Sequence, residues 1–337
     1  MNPFFKLTDN LVDNNTDLLY KGLAIPTVID LGNVYFVSPN GVDSAAIRGR
    51  WDRPYKTLQG AINAIPDSNP GHLVMILPGT YTENISLTID RSPVLQFSNG
   101  ATLNGNITTT SAGGGSRFEI CGYGTILGNL TGNGNGSQFH IRDMKWVGSI
   151  TTTTPIATQV TLLNVDQVGD IIGPWQVVKA RNQEQMGGIQ GVNIQLLDVK
   201  RVMGRVEPNY ASNIFLTAIN ANFYRASGAN IWWNDRNTGQ RIITLKGCSL
   251  TSGNDYCIHA PETHTNIIGL ADCMLKSGPG KEAIWIDTYI GTTNQMNVQN
   301  VRRNGEYGGA STYNFRSRIS DYVVAETALT LITNNLV

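Results

Sequence analysis

Charge is scarce in this sequence. Lys, Arg, Asp and Glu make up 15% of the 337 residues, against roughly 25% in ordinary soluble domains. The 25 basic residues balance the 25 acidic ones, so the formal net charge is zero. Such a balance leaves no basic field to draw in DNA or an anionic membrane, and no nucleic-acid partner is expected. Long apolar runs are missing too. No stretch approaches the ~18 apolar residues of a membrane span, so no membrane insertion is expected. The opening MNPFFKLTDNLVDNN has Lys6 only after two Phe and no apolar segment of leader length. It does not read as a signal peptide.

Cysteine is sparse: Cys121, Cys248, Cys257 and Cys273 show no CxxC and no chelating spacing. A disulfide framework is therefore not required, and neither a metal nor a cofactor is expected. Cys248 and Cys273 stand 25 residues apart in matched contexts, LKGCSL and LADCML, which reads as an inward-facing stack with Cys acting as a small apolar residue. The sequence contains no GxxxxGK[ST], GxSxG or HExxH. Nucleotide-driven, serine-hydrolase and zinc-protease chemistries thus lack their residues.

Glycine, by contrast, is plentiful at 36 residues, and Asn and Thr crowd the presumptive turns. This is the composition of many short strands joined tightly. A repeat underlies it. Phe118 and Ile120 recur 21 residues later as Phe139 and Ile141, and 21 later again as Val160 and Leu162. The pair returns as Ile194/Leu196 and Ile214/Leu216, and Leu95 opens an earlier copy. Eight positions into the copies come Leu103, Ile126, Val147, Val168 and Val202, and the endings rhyme as LNGNI, ILGNL, VGSI and VGDI.

Alternation with period two means strand. A unit of 21 to 25 residues cannot bury its apolar side alone, but stacked units can, with strands ~4.8 Å apart. The LxxLxLxxN signature of leucine-rich repeats is absent. The pattern predicts an all-β, right-handed parallel β-helix with roughly nine or ten coils between residues 72 and 300, by the same strand spacing. Its open end needs a cover. Leu58, Ala61, Ile62 and Ile65 fall on one face of a short helix at about 55–65, with Pro54 at its entry and Pro66 at its stop. The expected organisation is an N-terminal arm at 1–33, the β-helix at 34–300, and a C-terminal closing or oligomerisation β segment at 301–337.

The series YFVSPNG (35–41), PYKTLQGAINAIP (54–66) and VMILPGTYTENI (74–85) resembles the entry module of pectate-lyase-like β-helix proteins, which include both enzymes and bacteriophage tail spikes. The resemblance implies the fold but little about chemistry. It leads to the expectation of a virion appendage: a tail spike, fibre or capsid-surface protein acting in host-surface binding or assembly. The implied partners are further copies of the chain in a homotrimer, other virion proteins through the N-terminal arm, and a host surface glycan. The implied setting is the virion, assembled in the host cytoplasm and released by lysis. The alternative is a polysaccharide depolymerase, hydrolase or lyase, on the same scaffold.

An enzyme would need paired carboxylates or an equivalent set. Asp143, Asn164 and Asp198 occupy one place in three coils. They read either as two acids for glycoside hydrolysis or as a turn ladder, and Asn164 between the two Asp favours the ladder. The segment 252–286 resembles the polygalacturonase pattern of an Asp-Asp-Cys turn followed by Gly-His-Gly only at Asp255 and Cys257. Asn254 and Tyr256 leave a single carboxylate there. Asp255, His259, Glu262 and His264 lie within ten residues, with Asp272 one coil on; these are the candidate catalytic residues, set against a plain polar loop. Trp232 and Trp233 are adjacent, so on a strand one of them must point out of the core. That one is the candidate for carbohydrate binding or subunit contact. Loops at 173–192 and 252–264 are expected to carry recognition.

Overall fold

Phe118 pairs with Phe139, and Phe139 with Val160, on successive parallel strands. All three are buried. Ile120, Ile141 and Leu162 form a second column two residues on. The pile-up of like side chains expected from the repeat is thus present. The Phe118 and Phe139 rings stack 5.3 Å apart, and Trp175 meets Phe139 edge-on at 5.8 Å. Full burial of each such side chain contributes about 1.5–3 kcal/mol.

The computed structural model describes residues 18–20, 23–25, 33–66, 71–88, 93–110, 117–133, 137–153, 158–208, 213–232, 240–260, 265–286, 294–304, 307–309, 313–317, 321–324 and 329–332. Within them, successive coils build a 16-stranded sheet (the long sheet), an 11-stranded second sheet and a 6-stranded third sheet. The single-residue bridges Val168–Met186, Met186–Val202 and Val202–Phe223 carry the third face forward to where its own sheet begins, at Asn222–Arg225. Among the described residues only two strand pairs are antiparallel: Leu18–Tyr20 with Leu23–Ile25, and Asp321–Val324 with Leu329–Ile332. With crossovers of the hand that twisted strands require, the chain is a right-handed parallel β-helix. Its parallel ladder continues past residue 300 through Arg302–Arg303, Tyr307–Gly309, Tyr313–Ser317 and Asp321–Val324.

The register departs from the sequence pattern in three ways. First, Val178 and Ala180 form a coil between Leu162 and Ile194. Segment 173–192 is therefore not an interrupting loop, since it holds strands Val177–Gln183 and Ile189–Gly191. Ala180 stands where neighbouring coils carry Leu, and the two coils are short, which hides them. Second, Ile194 pairs with Leu216 rather than Ile214, and Leu95 with Ile120 rather than Phe118. Third, Trp146 rather than Val147 sits beside Ile126. Trp146 is wholly buried while Val147 is 42% exposed.

The helix Leu58–Asn63 is shorter than the sequence pattern indicates, yet Leu58, Ala61, Ile62 and Ile65 are all buried over the first coil. Its N-terminus is satisfied twice. The Thr57 hydroxyl accepts from Gly60 N, and the Glu83 carboxylate, one strand away, accepts from Leu58 N at 2.8 Å and Gln59 N at 3.1 Å. Negative charge at a helix N-terminus is favourable, so Glu83 fixes the cap to the coil it covers. Asp43 braces the approach by accepting from Lys56 N, Thr57 N and the Thr57 hydroxyl. Burial alone would raise the Asp43 carboxyl, but these bonds outweigh it and hold the group below the ordinary carboxylate range.

Candidate functional site

At one corner of successive coils, within or just after strands of the long sheet, Asp143, Asn164, Asn182, Asp198, Asn220, Asp272 and Asn300 all adopt φ between 52° and 58°, and Gly247 adopts 61°. Left-handed backbone costs roughly 1–2 kcal/mol for most L-residues and least for Gly, Asn and Asp. The side chains then bond along the column. Asn164 Nδ2 donates to Asp143 Oδ1 at 2.7 Å, Asn182 Nδ2 to Asn164 Oδ1 at 2.7 Å, Asn220 Nδ2 to Asp198 Oδ1 at 2.9 Å and Asn300 Nδ2 to Asp272 Oδ1 at 2.9 Å. Asp143 and Asp198 stand three coils apart, roughly 14 Å at the ~4.8 Å strand spacing. A glycosidase pair needs ~5–9.5 Å. These are ladder residues.

Asp272 belongs to the same ladder. Asp255 lies at another corner, in the turn between strands Ser249–Ser252 and Ile258–Ala260. Its Oδ1 accepts from Tyr256 N at 2.9 Å and its own N–H donates to the Ser252 hydroxyl at 3.1 Å. The structure therefore places Asp255 and Asp272 at separate corners, while Asp255 and His259 share one stretch of coil. Glu262, His264 and Trp233 lie outside the described residues. Cys248 and Cys273 are buried and face inward, donating to the carbonyls of Ala218 and Ala271 at 3.4 and 3.2 Å. Burial pushes the Cys257 thiol up to about 12, so it is inert at neutral pH.

A cluster of aromatic side chains lies on the outer surface of the second sheet. Trp232, His259 and Trp285 occupy one outward column on three successive strands, in register, and each is partly exposed. Their inward neighbours Ile231, Ile258 and Ile284 are buried, so alternation along the strand forces the rings outward. Trp232 stacks on His259 at 5.8 Å with planes at 17°. Tyr256, from the adjoining turn, meets His259 at 5.3 Å and stacks on Trp285 at 5.6 Å and 18°. The four rings form one continuous strip.

Cations border it. The Arg205 guanidinium lies 3.8 Å from the Trp232 ring centroid and is held by Glu207 at 2.8 Å. Glu207 in turn accepts from Gln190 Nε2 at 2.9 Å. Lys281 Nζ stands 5.1 Å over Tyr256. Trp232 is thus sandwiched between Arg205 and His259, whereas the strand beyond Trp285 brings Gly308 into register with it. The strip offers partly exposed aromatic side chains and fixed polar groups at the Arg205–Glu207–Gln190 end.

The sequence pattern singled out Trp232 but not Tyr256, His259 or Trp285 as its companions. Their signal was available: Trp232, His259 and Trp285 follow one another at 27 and 26 residues, close to the spacing of Cys248 and Cys273. No family model, no curated protein and no solved structure matches this chain.

Proposed function

We propose that this protein is a bacteriophage virion appendage that binds a host-surface glycan without cleaving it, through the aromatic strip Trp232–His259–Tyr256–Trp285. One observation carries the reading: three partly exposed aromatic side chains in register on the outer face of the second sheet. A large rigid apolar face with polar groups at its edge suits a pyranose ring, whose C–H face packs on π electrons while its hydroxyls seek donors and acceptors. Arg205, Glu207 and Gln190 supply such groups.

The virion setting draws on the pectate-lyase-like entry module at 35–41, 54–66 and 74–85, shared by phage spikes. The same resemblance implies a homotrimer attached to other virion proteins through the N-terminal arm. The separation of Asp255 from Asp272 favours binding over hydrolysis among the described residues. The test is to incubate the purified protein with host capsule or lipopolysaccharide, measuring both retention and new reducing ends or unsaturated sugars. Retention without turnover, lost in Trp285→Ala while that variant remains folded, supports the proposal. Turnover abolished by Asp255→Asn or Glu262→Gln would replace it with the depolymerase reading.

A further inference from the structure

A second feature lies on a different face. The outer surface of the long sheet carries a groove of about 560 Å³, bordered by Leu163, Lys179, Arg181, Leu197 and Ile219 with Ala180 in its lining. Leu163, Arg181, Leu197 and Ile219 are register neighbours in one outward column. Leu163 and Ile219 are each 36% exposed, and Leu197 and Ile219 adjoin in the column. Lys179 and Arg181, two apart on one strand, project from the same side.

Arg142 occupies the same column two coils earlier and pairs with Glu119 at 3.0 Å and Asp143 at 3.2 Å. Among the described residues no carboxylate stands within ion-pair distance of Lys179 or Arg181. Adjacent like charges repel, so a strand carrying both beside aliphatic neighbours is best satisfied by an anion with an apolar body. The groove volume falls within the ~300–1,000 Å³ of small-molecule sites, which combine apolar walls with a few placed polar groups. The backbone of the sheet is already paired to both neighbours, so an added strand has no edge to join here.

We propose that this groove binds a small amphipathic carboxylate, with the Arg181 fork and Lys179 holding the head group and Leu163, Leu197 and Ile219 holding an aliphatic chain. An Arg fork matches a carboxylate with two parallel hydrogen bonds. The site is independent of the aromatic strip, which faces outward from another sheet.

The experiment is calorimetric titration of the full-length protein with decanoate below its micellar concentration. Decyl maltoside serves as the neutral chain, and acetate and inorganic phosphate as anions without a chain. Decanoate is expected to bind at one site per chain, at least tenfold more tightly than any of the three. The Lys179→Ala/Arg181→Ala double variant should lose at least tenfold in affinity, and Leu197→Asp should abolish binding. Both should retain the parent melting temperature within a few degrees, and Trp285→Ala should bind decanoate as the parent does. Phosphate or acetate binding as well as decanoate would reveal a plain anion patch, and decyl maltoside binding as well would reveal a plain apolar one. Either result overturns the proposal, as does undiminished binding by the double variant. Loss of decanoate binding in Trp285→Ala would also overturn it, by moving the ligand to the other face.

Discussion

The side-chain amide of Asn164 rests on the carboxylate of Asp143 one coil away, 2.7 Å from nitrogen to oxygen, with both residues in left-handed backbone. That contact explains why Asn and Asp recur at one place in the repeat. Each bends the chain sharply at one corner of the coil, and each finds a partner above or below to satisfy its polar end. A carboxylate in this position is occupied with structure.

Replacing Asn164 separates the two contributions. Asn164→Ala keeps an L side chain in left-handed backbone and removes bonds to both Asp143 and Asn182, for an expected loss of about 2 kcal/mol. Asn164→Gly relieves the backbone and forfeits only the exposed hydrogen bonds, for about 1 kcal/mol. Denaturant titration measures both. An alanine variant as stable as the glycine variant would contradict the role assigned to the backbone.

The rhyme of Gly before Asn or Ser at the opposite corner has a steric origin. A Cβ on Gly105 would fall 1.8 Å from the Glu83 carbonyl oxygen, and one on Gly128 would fall 2.0 Å from that of Gly105. The neighbouring Asn accepts from the next coil: Asn106 Oδ1 from Asn129 N, and Asn129 Oδ1 from Ser149 N. Gly105→Ala is expected to destabilise by about 3 kcal/mol. Gly280→Ala has open space around it and only a left-handed φ of 68° to resist, for roughly 1–2 kcal/mol.

Acid should loosen the capped end. His72 is buried beside Tyr35, 5.6 Å ring to ring, and neither ring nitrogen has a hydrogen-bond partner among the described residues. Burial, with Arg48 adding repulsion, lowers its pKa. The unfolded chain therefore takes the proton first, at about pH 6.5, and stability falls as pH drops below that value. Asp43, whose pKa is also lowered on folding, adds a second loss in the same direction below about pH 4. His72→Phe should flatten the stability profile between about pH 7 and pH 5. An unchanged slope would show that His72 is not its source.

Trp232 and Trp285 should behave differently despite sharing a column. Trp232 lies between Arg205 and His259, so Trp232→Ala strips packing from both and should cost about 1–2 kcal/mol of stability. Trp285→Ala removes the stack on Tyr256, at a cost of about 1 kcal/mol, and should abolish retention on host glycan by the folded protein. Identical, purely destabilising effects would remove the binding argument for the strip.

Much of the fold was legible because burial imposes a period on the sequence. Phe118, Phe139 and Val160 announce their stacking directly, and Leu58, Ala61, Ile62 and Ile65 announce the cap. The coil at Val178 and Ala180 was not legible, because small Ala180 and outward Lys179 and Arg181 weaken the alternation just where the coils shorten. Trp146 escaped because a large aromatic at seven-eighths of the spacing competes with Val147 in the pattern, and only packing decides between them. For the site, adjacency drew attention to Trp232 with Trp233, whereas the meaningful neighbours, His259 and Trp285, are one and two coils away. Asp272, expected one coil on from Asp255, stands at a different corner of the coil, which spacing along the chain does not show.

The claim beneath all of this is the register of one coil on the next, and a cross-link tests it most directly. Thr131 and Thr151 pair on adjacent strands of the second sheet with hydroxyls 3.3 Å apart, and strands ~4.8 Å apart fall within the ~4.4–6.8 Å window of a disulfide. Under mild oxidation Thr131→Cys/Thr151→Cys should form an intramolecular disulfide, mapped by mass spectrometry of the digested protein. Thr131→Cys/Thr152→Cys, whose second side chain points into the core, should form none. A failure of the first pair to close, or equal closure of both, would contradict the stacked coil on which every assignment here depends.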